Sequence, residues 1–342
     1  MKRAIRRVST KNMTDADWLA YRMNGIGGSE AGAILGLSPY TSSLEVFYNK
    51  LRRPVEKPEN AAMFFGNELE DFVADLWRYS GVTFDETIHN KRNGKKQRDY
   101  TKVNAFLINP KFPHLFASVD RLIKANQFMI GSDEVQAEGI LEVKTIGGFV
   151  VRQWEHGIPP SYVVQLQTYL AVTELSWGEL IMLQDGRNVE LIPFVRNEEL
   201  INRIVSTTKE FYDRVTRARE VLKQEGFEYY DDVPLSHTIH SVIGCLEPPP
   251  DNSEAYTDYL KQRYKAEPIT LNGDVEDYDT ACEAVRLKEK VKDIESAITL
   301  CENKLKRKME TAERMNFGTD GYISYAVNAK GARPFTIRLR NK

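Results

Sequence analysis

The chain has 342 residues, 42% hydrophobic and 10% aromatic, enough for one large domain with a sizeable core plus an accessory segment. Its longest apolar stretches, such as Leu180 to Leu183, fall far short of the roughly 18 to 20 residues that span a bilayer. The basic stretch Met1 to Arg7 is followed by no apolar run of the kind a secretory signal needs, so a cytoplasmic protein is expected. The formal net charge of −2 gives no global signal for nucleic acid. Cys245, Cys282 and Cys301 are widely spaced and form no C-x-x-C arrangement, so neither a disulfide framework nor a zinc or iron–sulfur centre is suggested.

In chain order, Asp15 to Tyr48 reads as a helical region interrupted by the glycine-rich turn Asn24-Gly25-Ile26-Gly27-Gly28-Ser29, with Ser29 placed to cap the helix that follows. Met63 to Tyr79 is a second helix, because Phe65, Leu69, Phe72, Val73, Leu76 and Trp77 recur at helical spacing. Val82 to Leu107 mixes short extended pieces with the charged stretch Lys91 to Arg98, which reads as a hairpin tip. Phe116 to Ile123 and Gly139 to Ile146 alternate as paired strands around a turn at Gly131 to Glu134. Pro159-Pro160-Ser161 opens a helix through Thr173. Strands follow at Trp177 to Gln184 and Val189 to Val195, then a long amphipathic helix from Asn197 to Gln224. The order predicts a mixed α/β sheet flanked by helices.

Beyond Gly226 the composition shifts, so the expected division is a main domain over 1–226 and an extension over 227–342. Pro248-Pro249-Pro250 marks a stiff linker, followed by a helical stretch from Ser253 to Ala266. Leu287, Val291, Ile294, Ile298, Cys301 and Leu305 step by four and three residues, the seam of an antiparallel helical hairpin or of a coiled coil. With so few heptads the hairpin is expected. Two strands, Gly321 to Val327 and Pro334 to Arg340, close the chain.

The chemistry concentrates at Asp120 and Glu142-Val143-Lys144. Residues two apart on a strand share a face, so two carboxylates and an ammonium can meet there. Carboxylates with a backbone carbonyl, that of Val143, suit Mg²⁺ or Mn²⁺. Such an ion polarises a phosphate and acidifies a water, while Lys144 can orient that water and offset charge. A Glu-x-Lys pair alone is more often a surface ion pair on an ordinary strand. Three further features accompany it: an acid inside an apolar helix at Gly66 to Glu70, Gln165 and Tyr169 four apart on one helical face, and the Arg22 to Ser29 segment as a phosphate cradle.

Taken in order, Gly25 to Ala31 with Leu35 to Tyr40, Gly66-x-x-x-Glu70, Ala117-Ser118-Val119-Asp120, Glu142-Val143-Lys144 and Gln165-x-x-x-Tyr169 resemble the YqaJ-type viral recombinase family. These are relatives of phage lambda exonuclease within the restriction-endonuclease-like nuclease superfamily. The resemblance covers roughly residues 15 to 215. It implies a restriction-endonuclease-like mixed sheet and a metal-dependent exonuclease. Such an enzyme digests double-stranded DNA ends 5′-to-3′ and leaves 3′ single strands for an annealing protein, in the bacterial host of a phage or prophage. It also implies two metal ions held by Asp120, Glu142, the Val143 carbonyl and Glu70, catalysis by Lys144 with Gln165 in support, and Arg22 and Ser29 on the 5′-phosphate. A ring-shaped homo-oligomer, commonly a trimer, is a further implication. The 21 residues between Asp120 and Glu142 make a longer hairpin than in lambda exonuclease.

Several positions carry plainer alternatives. Glu68 competes with Glu70, and Gln167 with Gln165; the family spacing and the Tyr169 partner select Glu70 and Gln165. Tyr169 is expected to brace the site rather than react. His114, beside Pro113, reads as structural. The same core could instead serve a DNA-end binding module without catalysis, or an endonuclease.

Overall fold

The computed structural model describes residues 5–56, 58–81, 83–130, 133–147, 157–234, 236–266 and 268–340, the side chains of 126–136 excepted. It divides into two compact units, 1–265 and 266–342. The expected division after Gly226 therefore moves, because the next two helices bury Ile239, Ile243 and Tyr256 in the core of the first unit.

The first unit opens with β1 (Arg6–Ser9), α1 (Asp15–Arg22), β2 (Ile26–Gly27), α2 (Gly28–Ile34) and α3 (Ser43–Leu51). Thr14 and Asp17 form a capping box on α1. At α2 the cap is Gly27, whose amide donates to Glu30 Oε2, so Ser29 is inside the helix rather than capping it. α4 (Ala61–Arg78) follows, capped by Asn60. It buries Val73, Ala74 and Trp77, whereas Phe65 and Phe72 of the expected apolar stripe are exposed.

The stretch expected to be extended is partly helical: α5 (Phe84–Arg92) is capped by Thr83. The charged stretch from Lys91 is thus a helix end and a connector, not a hairpin tip. Lys91 pairs with Asp75, and Arg98 donates to the buried Glu179 at 2.7 Å, so two of its cations already serve the fold. β3 (Tyr100–Lys102), β4 (Ala105–Ile108), β5 (Leu115–Ala117), β6 (Arg121–Ile130) and β7 (Asp133–Ile146) come next. The strand expected across 116–123 is broken at Ser118 to Asp120. β5 belongs to a four-stranded sheet ordered β1-β4-β5-β2, while β6 enters a separate five-stranded sheet. β6 and β7 pair antiparallel as expected, with a register irregularity between Ile123 and Asn126. Of the turn expected between them, Gly131 and Ser132 lie outside the described residues, and Asp133 and Glu134 belong to β7.

α6 (Pro160–Thr173), with proline in its first turn, leads into β8 (Trp177–Gln184), β9 (Asn188–Val195) and α7 (Glu198–Gln224). The five-stranded sheet runs β3-β6-β7-β8-β9; β7 and β8 are parallel and the other pairs antiparallel, a mixed sheet as expected. α8 (His237–Gly244) and α9 (Glu254–Arg263) complete the unit.

Two helices explain the polarity of β7. Its pleat sends Leu141 and Val143 to one face, where they pack with Val73, Ala74 and Trp77 of α4. It sends Ile140 and Glu142 to the other, toward α6. α6 is buried at every residue from Val164 to Thr173, the pattern of a helix enclosed on all sides. Each large apolar side chain buried this way contributes on the order of 1.5–3 kcal/mol.

The second unit holds α10 (Val275–Met309), 35 residues with a capping box of Asp274 and Asp277, and a three-stranded sheet of β10 (Arg314–Asn316), β11 (Gly321–Ser324) and β12 (Thr336–Leu339). The apolar seam lies along one uninterrupted helix, so the expected hairpin is replaced by a single rod. Among the described residues no helix is long and apolar enough to cross a membrane.

Candidate active site

β7 supplies Glu142 and Lys144 from the face that meets α6. Glu142 is only 2% exposed. Its Oε1 accepts from Lys144 Nζ at 2.7 Å and from Gln165 Nε2 at 2.9 Å. The same Gln165 nitrogen donates to the Tyr169 hydroxyl at 2.9 Å, which is how a spacing of one helical turn on α6 becomes a brace. Gln167 is turned elsewhere: its amide nitrogen donates to the Val195 carbonyl and its oxygen accepts from the Asn197 amide.

Asp120 lies at the bend where the chain leaves one sheet for the other. Its Oδ2 accepts from the Val143 amide at 2.8 Å, which ties the bend to β7. Burial and the nearby Glu142 carboxylate push its carboxyl well above the usual range, with Lys144 opposing them. Burial alone would lower Lys144, but Glu142 and Asp120 together raise it, so the ammonium is firmly held. Burial also raises the Tyr169 hydroxyl, with Glu142 adding to the effect.

One atom is left over. Glu142 Oε2 is buried without a hydrogen-bond partner among the described residues. A bare buried carboxylate oxygen is costly unless a cation or a donor meets it. Hard oxygens from Glu142 and Asp120 match what Mg²⁺ or Mn²⁺ requires, so the residues present fit such an ion. Among the described residues no three acidic, histidine or cysteine side chains gather closely enough to hold a metal by themselves.

Glu70 shows why. It rides on α4, against the opposite face of the sheet from Glu142. Its Oε1 accepts from Arg121 Nη1 at 2.8 Å. Arg121, almost fully buried, also pairs with Asp71 and donates to the Asp120 carbonyl at 2.8 Å. Glu70 nonetheless lines the same cleft as Asp120, a space of about 230 Å³ bordered also by Trp18, Lys102, Ser118 and Arg121. Glu68 is exposed and lines no part of it. Arg121 was not singled out from the sequence; an arginine directly after the aspartate is its only signal.

Arg22 and Ser29 do meet: Arg22 Nη2 donates to Ser29 Oγ at 3.1 Å. The Arg22 guanidinium also lies over the Trp18 ring, 5.1 Å from its centroid. Beneath them is a pair that sequence reasoning missed. Lys50 of α3, 3% exposed, donates to the carbonyls of Arg22 at 2.9 Å and Gly25 at 2.7 Å, and its Nζ lies 3.0 Å from Glu30 Oε1. Glu30 in turn pairs with Arg22 at 3.6 Å. Burial would raise the Glu30 carboxyl, but Lys50 and Arg22 hold it below its usual range. Gly28 connects this cluster to the first, because a Cβ there would lie 2.7 Å from the Tyr169 ring and 3.2 Å from the Gln165 carbonyl oxygen. His114 is buried with Nε2 at 3.1 Å from Thr208 Oγ1, away from the carboxylates' hydrogen bonds.

Residues 17–176 match the model of the YqaJ-like viral recombinase domain. The chain is also 30% identical over 321 residues to the uncharacterized protein YqaJ of Bacillus subtilis (strain 168), covering 91% of this chain and 83% of that protein. The chain belongs to the YqaJ-like viral recombinase domain family. The family match spans Arg22, Ser29, Asp120, Glu142, Lys144, Gln165 and Tyr169. In three dimensions the chain is similar to an alkaline exonuclease, LHK-Exo, from Laribacter hongkongensis, at 19% identity and a TM-score of 0.46, over 61% of this chain and 96% of that one. A weaker likeness, to SSO0001, has 12% identity and a TM-score of 0.21, over 54% of this chain and 81% of that one.

Proposed function

We propose that this family member is a metal-dependent DNA exonuclease that resects duplex ends 5′-to-3′ to leave 3′ single strands for recombination by annealing. The observation that carries the reading is Glu142: a buried carboxylate with one oxygen clamped by Lys144 and Gln165, and the other bare beside the Asp120 bend. Asp120 and Glu142, with the Val143 carbonyl, would hold Mg²⁺ or Mn²⁺, two ions in all, which supply polarisation of the scissile phosphate and a more acidic water. Glu70 would join them only by turning from Arg121 into the cleft it shares with Asp120.

The protein's own groups do the rest. Gln165 fixes the rotamer of Glu142, and Tyr169 fixes Gln165. Lys144, kept charged by the two carboxylates, stands where it can neutralise charge growing on a phosphate oxygen. Arg22 and Ser29 present a cation and a hydroxyl to a terminal 5′-phosphate, and Lys50 holds the backbone that carries them. Polarity, the annealing partner, a ring-shaped homo-oligomer and residence in the cytoplasm of a bacterial host follow from the resemblance to the family.

The test is digestion of linear duplex carrying 5′-phosphate or 5′-hydroxyl ends, with a closed circular control, in Mg²⁺ and in EDTA. Metal-dependent loss of the 5′-labelled strand, faster with phosphate and absent on circles, is expected. Cutting of circles would replace the exonuclease by an endonuclease, and retention of DNA without cleavage would leave a binding module.

A further inference from the structure

The second unit carries a surface that the nuclease reading does not use. Along α10, Leu287, Val291, Ile294 and Ile298 are 49%, 52%, 59% and 55% exposed, and Cys301 is exposed beside them. Water is a poor solvent for such a stripe, and its stepping of four and three residues is the period of a coiled-coil seam. In heptad terms Ala284, Val291, Ile298 and Leu305 take the a positions, and Leu287, Ile294 and Cys301 take the d positions.

We propose that α10 pairs with α10 of a second copy of this chain as a parallel, in-register coiled coil. The flanking charges select both partner and direction. In a parallel pair each g residue faces the e residue five positions further on in the partner. That sets Glu283 against Lys288 and Lys290 against Glu295, opposite charges at both places and twice by symmetry. The ion pair Glu283 now makes with Arg286 is exposed and exchangeable. An antiparallel pair that kept the same apolar layers would set Lys288 against Glu302, an attraction made twice by symmetry, but also Lys290 against Lys304, a repulsion made twice, and Glu295 against its own copy. Charge complementarity therefore favours a parallel copy of this same helix, and the proposal stands independently of what the first unit catalyses.

Cys301 makes the geometry testable. At a d position in a parallel in-register pair it faces Cys301 of the partner copy, whereas Cys282 falls at an outward f position. Full-length protein is treated with copper–phenanthroline, which oxidises paired thiols to a disulfide, and run on a non-reducing gel. A covalent dimer is expected, retained in Cys282→Ser and Cys245→Ser and lost in Cys301→Ser. Ile294→Asp with Ile298→Asp, on the exposed face of α10, is expected to abolish the link while circular dichroism stays unchanged. Absence of a Cys301-dependent link in the wild-type chain, or its survival in the double aspartate variant, overturns the proposal.

Discussion

Among the described residues of the first unit, two carboxylate–lysine pairs each join a buried member to a half-buried one, Glu142 with Lys144 and Lys50 with Glu30, and they are built on opposite plans. At Glu30 every group is met: one oxygen takes the Gly27 amide, the other faces Lys50, and Lys50 spends its remaining donors on two backbone carbonyls. At Glu142 one oxygen is met twice and the other by no group among the described residues, and a second carboxylate raises the electrostatic cost nearby. A closed pair holds backbone in place. An open pair stores a demand for a cation, which is what a site has and a strut lacks.

The largest expected difference between them is in activity. Glu142→Gln keeps an oxygen for Lys144 and Gln165 but removes the charge. DNA digestion is expected to fall about a thousandfold or more, roughly 4 kcal/mol in the barrier. Stability measured by urea unfolding should stay within about 1 kcal/mol of wild type, because repulsion with Asp120 is relieved. Near-normal digestion by this variant would remove Glu142 from the site.

Lys50→Met reverses the pattern. It leaves Glu30 charged, mostly buried and short of its main partner, and strips two carbonyls of their donor, so a loss of about 3–5 kcal/mol in unfolding free energy is expected. Glu30→Gln combined with Lys50→Met should recover part of that loss. An unfolding curve for Lys50→Met that overlays wild type would show that the pair is no strut.

What could be read from the sequence follows the same division. Glu142, Lys144, Gln165 and Tyr169 were legible because their spacing, two on a strand and four on a helix, is itself the geometry that joins them. Asp120 was legible as a residue but not as a bend between two sheets, since alternation in Phe116 to Ile123 continues through the break. Lys50 and Glu30 were illegible: they are far apart in sequence on separate helices, and a lysine near the end of an amphipathic helix ordinarily points to water. The seam of α10 could be read as a pattern, but periodicity is the same whether the covering helix lies in the same chain or in another.

A smaller effect concerns acid. His114, buried next to the closed cluster, is held down to about 4 by burial, with Lys209 adding to it. An unfolded histidine takes up its proton near pH 6.5, so stability is complete above that value and is lost as pH falls toward about 4. Between pH 7 and pH 5 the loss attributable to this residue should be about 2 kcal/mol. Urea unfolding at the two pH values should show it, and His114→Gln should flatten the difference. An equal slope in that variant would assign the acid sensitivity to other groups.

The smallest effect tests whether the closed pair serves a site at all. Ser29 accepts a single exposed hydrogen bond from Arg22, so Ser29→Ala should change stability by no more than about 0.5 kcal/mol. If the strut at Lys50 exists to present Arg22 and Ser29 to DNA, the same variant should digest 5′-phosphate and 5′-hydroxyl ends at more similar rates. The preference for phosphate should fall by roughly tenfold to a hundredfold, the worth of one hydrogen bond to a charged group. Rates on hydroxyl ends should not change, because nothing there meets the serine. A preference that survived intact would detach the Arg22 cluster from the DNA end and leave Lys50 and Glu30 as a packing device alone.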